Sequence, residues 1–231
     1  MATILVTGAN RGIGLAFVRQ YAAEGDHVHA CCRAPDKADE LQRIAAASEG
    51  RVTCHKLDVT NADDIARVAA ALGDQPLDLL INNAGIYGGD RQTAREVDYV
   101  AWTEAFAVNT QGPLRMIQAL RDNLVSAKHP KVITISSMLG SIADNGGGGL
   151  IVYRSTKAAV NQVMKGLSHD LKGDNIIVCP MHPGWVRTDM GGSSADISVE
   201  ESAAGVFARA WEVGIADTGT FVDYQGETIP W

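Results

Sequence analysis

Seven short runs rich in β-branched and other apolar residues, ILVT (4–7), HVHACC (27–32), VTCHKLD (52–58), LDLLIN (77–82), KVITIS (131–136), IIVCPMH (176–182) and TFVDY (220–224), are separated by longer stretches of helical periodicity. Strands that read as nearly continuous apolar runs, with helices between them, belong to a parallel sheet covered on both faces. The expected architecture is therefore α/β, a doubly wound parallel sheet of about seven strands. Local punctuation agrees. Thr60 with Asp63 forms a capping-box start for the helix DDIARVAAAL, and Gly73 stands where its C-terminal stop belongs.

At 231 residues the chain fits one domain spanning 1–231, large enough to build a full core. It contains no apolar run long enough to cross a bilayer. Its first residues, MATILVTGANRGIG, lack the basic and long apolar regions of a secretion signal, so a cytoplasmic protein is expected. A net charge of −7 argues against nucleic acid and anionic membrane surfaces as partners. Cys31, Cys32, Cys54 and Cys179 show no ligand spacing and lie in strand-like segments, which reads as free buried thiols. None of the six histidines has metal-ligand spacing, so no metal is expected.

TGANRGIG, residues 7 to 14, follows the first strand and opens the first helix. Glycines there remove the Cβ atoms that would block a phosphate, while free N–H groups and the helix dipole attract its charge. Dinucleotide binding in a Rossmann fold is the reading. The second strand ends ACCRAP, with Cys32 where a carboxylate would take the ribose 2′-hydroxyl of NAD. Arg33 follows it and Arg11 lies in the glycine loop, so two guanidiniums can converge on a 2′-phosphate. NADP(H) is expected over NAD(H).

Tyr153 and Lys157 are four residues apart and share one face of a helix. An ammonium near a phenol favours the phenolate, which suits proton exchange near neutral pH. The pair follows the strand KVITIS, and ligands bind at the carboxyl ends of parallel strands. Ser136 and Ser137 stand at that end, and strand alternation sends them to opposite sides.

The glycine spacing Gly8, Gly12, Gly14, with LDVT (57–60), NNAG (82–85), VNTQG (108–112), ISS (135–137), YRSTK (153–157) and HPGWVRTDM (182–190) in order, resembles the short-chain dehydrogenase/reductase family along essentially the whole chain. The ending TGTFVDYQGETIPW resembles its C-factor-like and sniffer-type carbonyl reductase branch. The resemblance implies a catalytic set of Ser137, Tyr153, Lys157 and Asn109. In it Tyr153 is the proton donor, Ser137 orients the carbonyl, Lys157 acts on the tyrosine and the nicotinamide ribose, and Asn109 anchors a water in a proton relay. It implies cofactor contacts at Gly8, Asn10, Arg11, Gly12, Ile13, Gly14 and Arg33, at Asp58 and Val59 by the adenine, and at Asn82, Ala84 and Gly85 by the adenosine ribose. Pro183, Val186 and Thr188 fall near the nicotinamide, along with Tyr153 and Lys157. Tyr87, Met138, Leu139, Trp185 and Met190 suggest an apolar substrate wall. A hydrophobic or aromatic ketone or aldehyde is the expected small-molecule partner, and relatives usually associate, so a homodimer or homotetramer is expected. A dinucleotide-binding sensor acting through protein contacts is the competing class, and it has no need of the catalytic set.

One glycine run is left over. Gly146 to Gly149 follows a loop, not a strand, and the strand–helix alternation continues past it. It is expected to be neither a phosphate cradle nor a linker, but a mobile loop tethering Ser137 to Tyr153 at the substrate entrance.

Overall fold

In the computed structural model, which describes residues 1–231, seven parallel strands form one sheet in the order β3-β2-β1-β4-β5-β6-β7. The strands are β1 (Thr3–Thr7), β2 (His27–Cys32), β3 (Val52–Lys56), β4 (Leu79–Asn82), β5 (Lys131–Ile135), β6 (Ile177–His182) and β7 (Val222–Asp223). Each falls on one of the seven runs expected from sequence, β1 starting one residue earlier, at Thr3. The order reverses beside β1, which pairs β2 on one side and β4 on the other. A crevice opens at such a reversal, at the carboxyl ends of the strands.

Side-chain alternation divides the interior into two cores. Ile4 and Val6 of β1 pack with Phe17, Val18 and Tyr21 of α1 (Gly12–Ala23), Leu41 of α2 (Asp39–Ala47) and Val206 of α8 (Val199–Glu212). Leu5, pointing the other way, packs with Ile65 and Val68 of α3 (Ala62–Leu72), Met116 and Ile117 of α5 (Gly112–Ala119), Leu124 of α6 (Arg121–Ser126) and Val160 and Met164 of α7 (Ile151–Asp170). Both faces of the sheet are thus covered, which is why its strands read as continuous apolar runs. Helix α4 (Tyr99–Phe106) runs into a five-residue π-helical segment, Ala107–Gln111, before α5.

Helix α3 begins one residue later than its sequence signal suggested. Asn61, not Thr60, is the cap, its side chain accepting from the Asp64 N–H at 2.9 Å. The Thr60 hydroxyl is already committed to Asp58 Oδ1, 2.6 Å away. Gly73 ends the helix with φ 55°, as its position implied. The strands on either side of the four-glycine run, β5 and β6, are neighbours in register from Lys131↔Ile177 to Ile135↔Met181, so the run does not separate two sheets. Three of the four free thiols are buried, whereas Cys54 on edge strand β3 is only partly buried. No helix is long and apolar enough to cross a membrane.

Candidate active site

A cleft of about 800 Å³ lies along the carboxyl ends of β1, β2, β4 and β5. Its floor is the glycine loop. A Cβ on Gly14 would fall under 3.0 Å from the Gly8 carbonyl oxygen and the Asn83 side chain, and one on Gly8 would meet the Ala84 Cα at 3.0 Å. Gly8 and Gly12 also take φ +67° and +53°, where other residues are strained. Asn83 locks this arrangement, its amide donating to the Thr7 and Gly8 carbonyls at 2.9 and 3.2 Å. Gly8, Asn10, Arg11, Gly12, Ile13 and Gly14 line the cleft at the N-terminus of α1. A concave backbone at a helix N-terminus with no side-chain bulk fits the pyrophosphate of a dinucleotide.

At the β2 end the wall carries Cys32 and Arg33, with no carboxylate on that strand end. Arg33 is exposed and makes no ion pair. Arg11 is already engaged: its guanidinium pairs with Asp189 at 2.5 Å, bridging the glycine loop to the segment after β6. Of the two cations expected at a 2′-phosphate, Arg33 is therefore the one that stands free. Asp58, Val59, Ala84 and Gly85 also line the cleft. Burial alone would raise the Asp58 carboxyl, but two hydrogen bonds from Thr60 and the nearby Arg33 leave it below its ordinary value. Asn82 is not on the wall. It is buried beneath, its amide 3.5 Å from Thr134 Oγ1, and Asn83 takes the wall position instead.

Where the cleft passes the end of β5, α7 brings up Tyr153 and Lys157, both on its wall. Lys157 is buried and donates to the Ile135 carbonyl at 2.8 Å, and burial lowers its pKa to about 8. Gly140 lies against the Lys157 backbone, so closely that a Cβ there would collide with it. The Tyr153 phenol is pushed up to about 12 by burial; the neighbouring Ser137 hydroxyl pulls it down and Tyr87 adds to the rise. The Lys157 ammonium makes no hydrogen bond to the phenol in this structure. It lies 5.7 Å from the Tyr153 ring centre and is bonded elsewhere.

The two serines differ: the Ser137 hydroxyl sits beside Tyr153 although Ser137 is not on the cleft wall, while Ser136 lines the cleft and donates to Asn161 at 2.5 Å. Asn109, in the π-helical segment, accepts from the Ile86 N–H at 2.8 Å and donates to the Ile86 carbonyl and to Thr156 at 2.8 and 3.0 Å. Both amide hydrogens are used, which leaves a lone pair on Oδ1 and the backbone to meet a water. Short π segments recur at functional positions.

Pro183, Thr188 and Met190 reach the cleft from the segment after β6, whereas Val186 is buried behind it, bridged to Ile197. The Tyr87 ring centre lies 5.5 Å from that of Tyr153, Met138 and Leu139 belong to the short 3-10 turn Met138–Gly140, and Trp185 follows β6; none of these four is on the cleft wall. Met138, Trp185 and Met190 are each about half-exposed. The segment between Ser137 and Tyr153 is fastened near its start, where the Ile142 and Ala143 N–H groups donate to the Trp231 backbone oxygen at 3.1 and 2.9 Å. Gly146 to Gly149 are exposed, and added Cβ atoms there would meet nothing within 4 Å.

Asn83, Asp189 and Gln92 were not legible as site residues, because their partners lie 75 or more, 178 and 61 residues away. The NNAG stretch does carry Asn83, and the hydrogen-bonding appetite of a strand-end asparagine was the available signal.

The chain matches the short chain dehydrogenase family over residues 2–197. The C-signal protein of Myxococcus xanthus is 37% identical over 161 residues, 68% of this chain and 93% of that protein. The carbonyl reductase Sniffer of D. melanogaster shares the fold with a TM-score of 0.92 and 32% identity over 100% of both chains. NADPH-bound carbonyl reductase from chicken fatty liver gives a TM-score of 0.94 at 34% identity, over 100% of this chain and 99% of that one. With a family match across most of its length and a fold shared from end to end with two carbonyl reductases, the protein belongs to the short-chain dehydrogenase/reductase family, beside its Sniffer-type members.

Proposed function

We propose that the protein is an NADPH-dependent carbonyl reductase, acting reversibly on a hydrophobic or aromatic ketone or aldehyde, and that one domain over 1–231 carries both cofactor binding and chemistry. The observation that carries this reading is that α7 brings Tyr153 and Lys157 to the wall of a glycine-floored cleft, with the Ser137 hydroxyl beside Tyr153. The likeness to the chicken carbonyl reductase, whose structure holds NADPH, supports the cofactor.

In this reading the bound cofactor supplies the hydride to the carbonyl carbon, and the residues handle position and proton. Ser137 donates a hydrogen bond to the carbonyl oxygen and Tyr153 gives that oxygen its proton, yielding the alcohol. A phenol held near 12 stays protonated at neutral pH, which suits the donor role in reduction. Lys157 contacts the nicotinamide ribose and, when charged, favours the phenolate that must be reprotonated. Asn109, with its amide hydrogens occupied, meets the relay water through oxygen. Arg33 takes the 2′-phosphate and sets the preference for NADP(H) over NAD(H). Met190 begins an apolar wall, with Tyr87, Trp185, Met138 and Leu139 outside it. The reading also includes a cytoplasmic protein, in keeping with four free thiols, and a homodimer or homotetramer, which sedimentation will count.

A panel of aromatic ketones, aldehydes and quinones scored by NADPH oxidation tests the reading. Turnover of at least one carbonyl class is expected, and no oxidation across the panel contradicts it. The likeness to C-signal motivates a second reading, an NADP(H)-binding sensor acting through protein contacts. Such a sensor needs the cleft but not Tyr153.

A further inference from the structure

Helix α7, which presents Tyr153, begins without a local cap. Leu150 precedes it at φ 47° and offers no capping side chain, and the four glycines before it have none to offer. The first N–H groups of a helix have no intrahelical acceptor, and a buried one left unpaired is destabilising. Here the acceptors come from Gln92, 61 positions earlier than Tyr153. Its backbone carbonyl takes the Ile151 N–H at 3.1 Å and its side-chain Oε1 takes the Tyr153 N–H at 2.8 Å.

The other end of the same amide faces the opposite wall. Gln92 Nε2 donates to the Tyr87 carbonyl at 3.0 Å and to the Gly89 carbonyl at 2.5 Å. Gln92 is 1% exposed, so both amide hydrogens and the oxygen are paired away from water. Gly88, between those two carbonyls, lies so close to Val152 that a Cβ would collide with it, which seats the 87–89 turn on the first turn of α7. The Tyr87 and Tyr153 rings lie 5.5 Å apart at this junction.

We propose that Gln92 is a positioning residue: one buried amide sets Tyr153 relative to the cleft and Tyr87 relative to Tyr153, standing in for the helix cap that the glycine loop does not supply. The inference rests on the reading of Tyr153 as proton donor. Because the glycine tether carries no cap, the geometry of the reaction depends on this distant side chain. Gln92 does not line the cofactor cleft, so its loss should leave NADPH binding intact.

The experiment compares the full chain with Gln92→Met, which keeps length and loses all three side-chain hydrogen bonds, and Gln92→Glu, which keeps an acceptor for Tyr153 N–H and sets a carboxylate against two carbonyl oxygens. NADPH affinity, kcat and KM for a carbonyl reduced by the parent, and amide exchange over residues 151–154 are measured well below the thermal transition. For Gln92→Met the expected result is a kcat loss on the order of 10- to 100-fold, NADPH affinity within about 2-fold, and faster exchange at Tyr153. Gln92→Glu should keep slow exchange at Tyr153 and raise KM, because only the Tyr87 side is released. Should the Met variant not fold, the Glu variant decides alone by that split. Variants with parental kcat, KM and exchange overturn the inference, and so does a parallel fall in NADPH affinity and activity. A parent that reduces no carbonyl overturns the functional reading instead.

Discussion

Two glycine-rich stretches, TGANRGIG and the run Gly146 to Gly149, use the same residue for opposite reasons. In the first, the missing Cβ atoms make room: the Gly8 carbonyl and Asn83 occupy the space a side chain at position 14 would take. In the second there is nothing to make room for, since Cβ atoms at 146 to 149 would meet no atom within 4 Å. The run divides further. Gly148 and Gly149 take φ +62° and +65°, whereas Gly146 and Gly147 do not enter the left-handed region. Crowding marks a built ligand cradle, and openness marks a loop whose glycines serve the backbone alone. That open loop delivers α7 without a cap, which is why Gln92 has to act from afar.

Crowding also acts on charge, and the largest expected effect is there. Lys157 has a lowered pKa of about 8 against an ordinary 10.5. Below pH 8 it is charged in both folded and unfolded states, and the burial penalty is fully present. Between pH 8 and 10.5 the unfolded chain holds the extra proton, so stability of the cofactor-free protein should rise with pH by at most about 3 kcal/mol. Lys157→Met should flatten that rise in denaturant midpoints taken at pH 8 and pH 10; an unchanged slope would mean the lysine is not buried as described.

Gly14→Ala should cost about 1–3 kcal/mol by overpacking the loop and weaken NADPH roughly 10- to 100-fold. Near-parental binding would erase the contrast between the two stretches. Arg33→Ala should weaken NADPH by about tenfold or more while leaving NADH within about 2-fold, and an equal effect on both would remove it from the 2′-phosphate. The smallest effects belong to the open run. Gly149→Ala should lose about 1–2 kcal/mol through its backbone angle, and Gly147→Ala should change thermal stability by less than about 0.5 kcal/mol. Equal costs at 147 and 149 would show that space, not φ, governs the run.

The sheet was legible because each strand is its own apolar run, and burial follows that pattern except on edge strand β3, where Thr53 and Lys56 are exposed. The glycine loop was legible because a strand before it and a helix after it limit what it can be. Where the outcome turned on competition between near neighbours, the sequence signal was one residue off. Thr60 looked like a cap until its hydroxyl was spent on Asp58 and Asn61 took the role, and Asn82 stood for the wall that Asn83 occupies. Long-range partners carried no signal. Arg11 binding Asp189, Gln92 capping α7 and Trp231 holding the 142–143 backbone join segments that only the folded chain brings together.

The central claim is that this cleft holds NADPH for carbonyl reduction with Tyr153 as the proton donor. Tyr153→Phe removes only the hydroxyl, so NADPH affinity and turnover of an aromatic aldehyde or ketone, measured on the same preparation, test it most directly. The account predicts NADPH affinity within about 2-fold of the parent and a loss of turnover of about 100-fold or more. Parental turnover in Tyr153→Phe would contradict it.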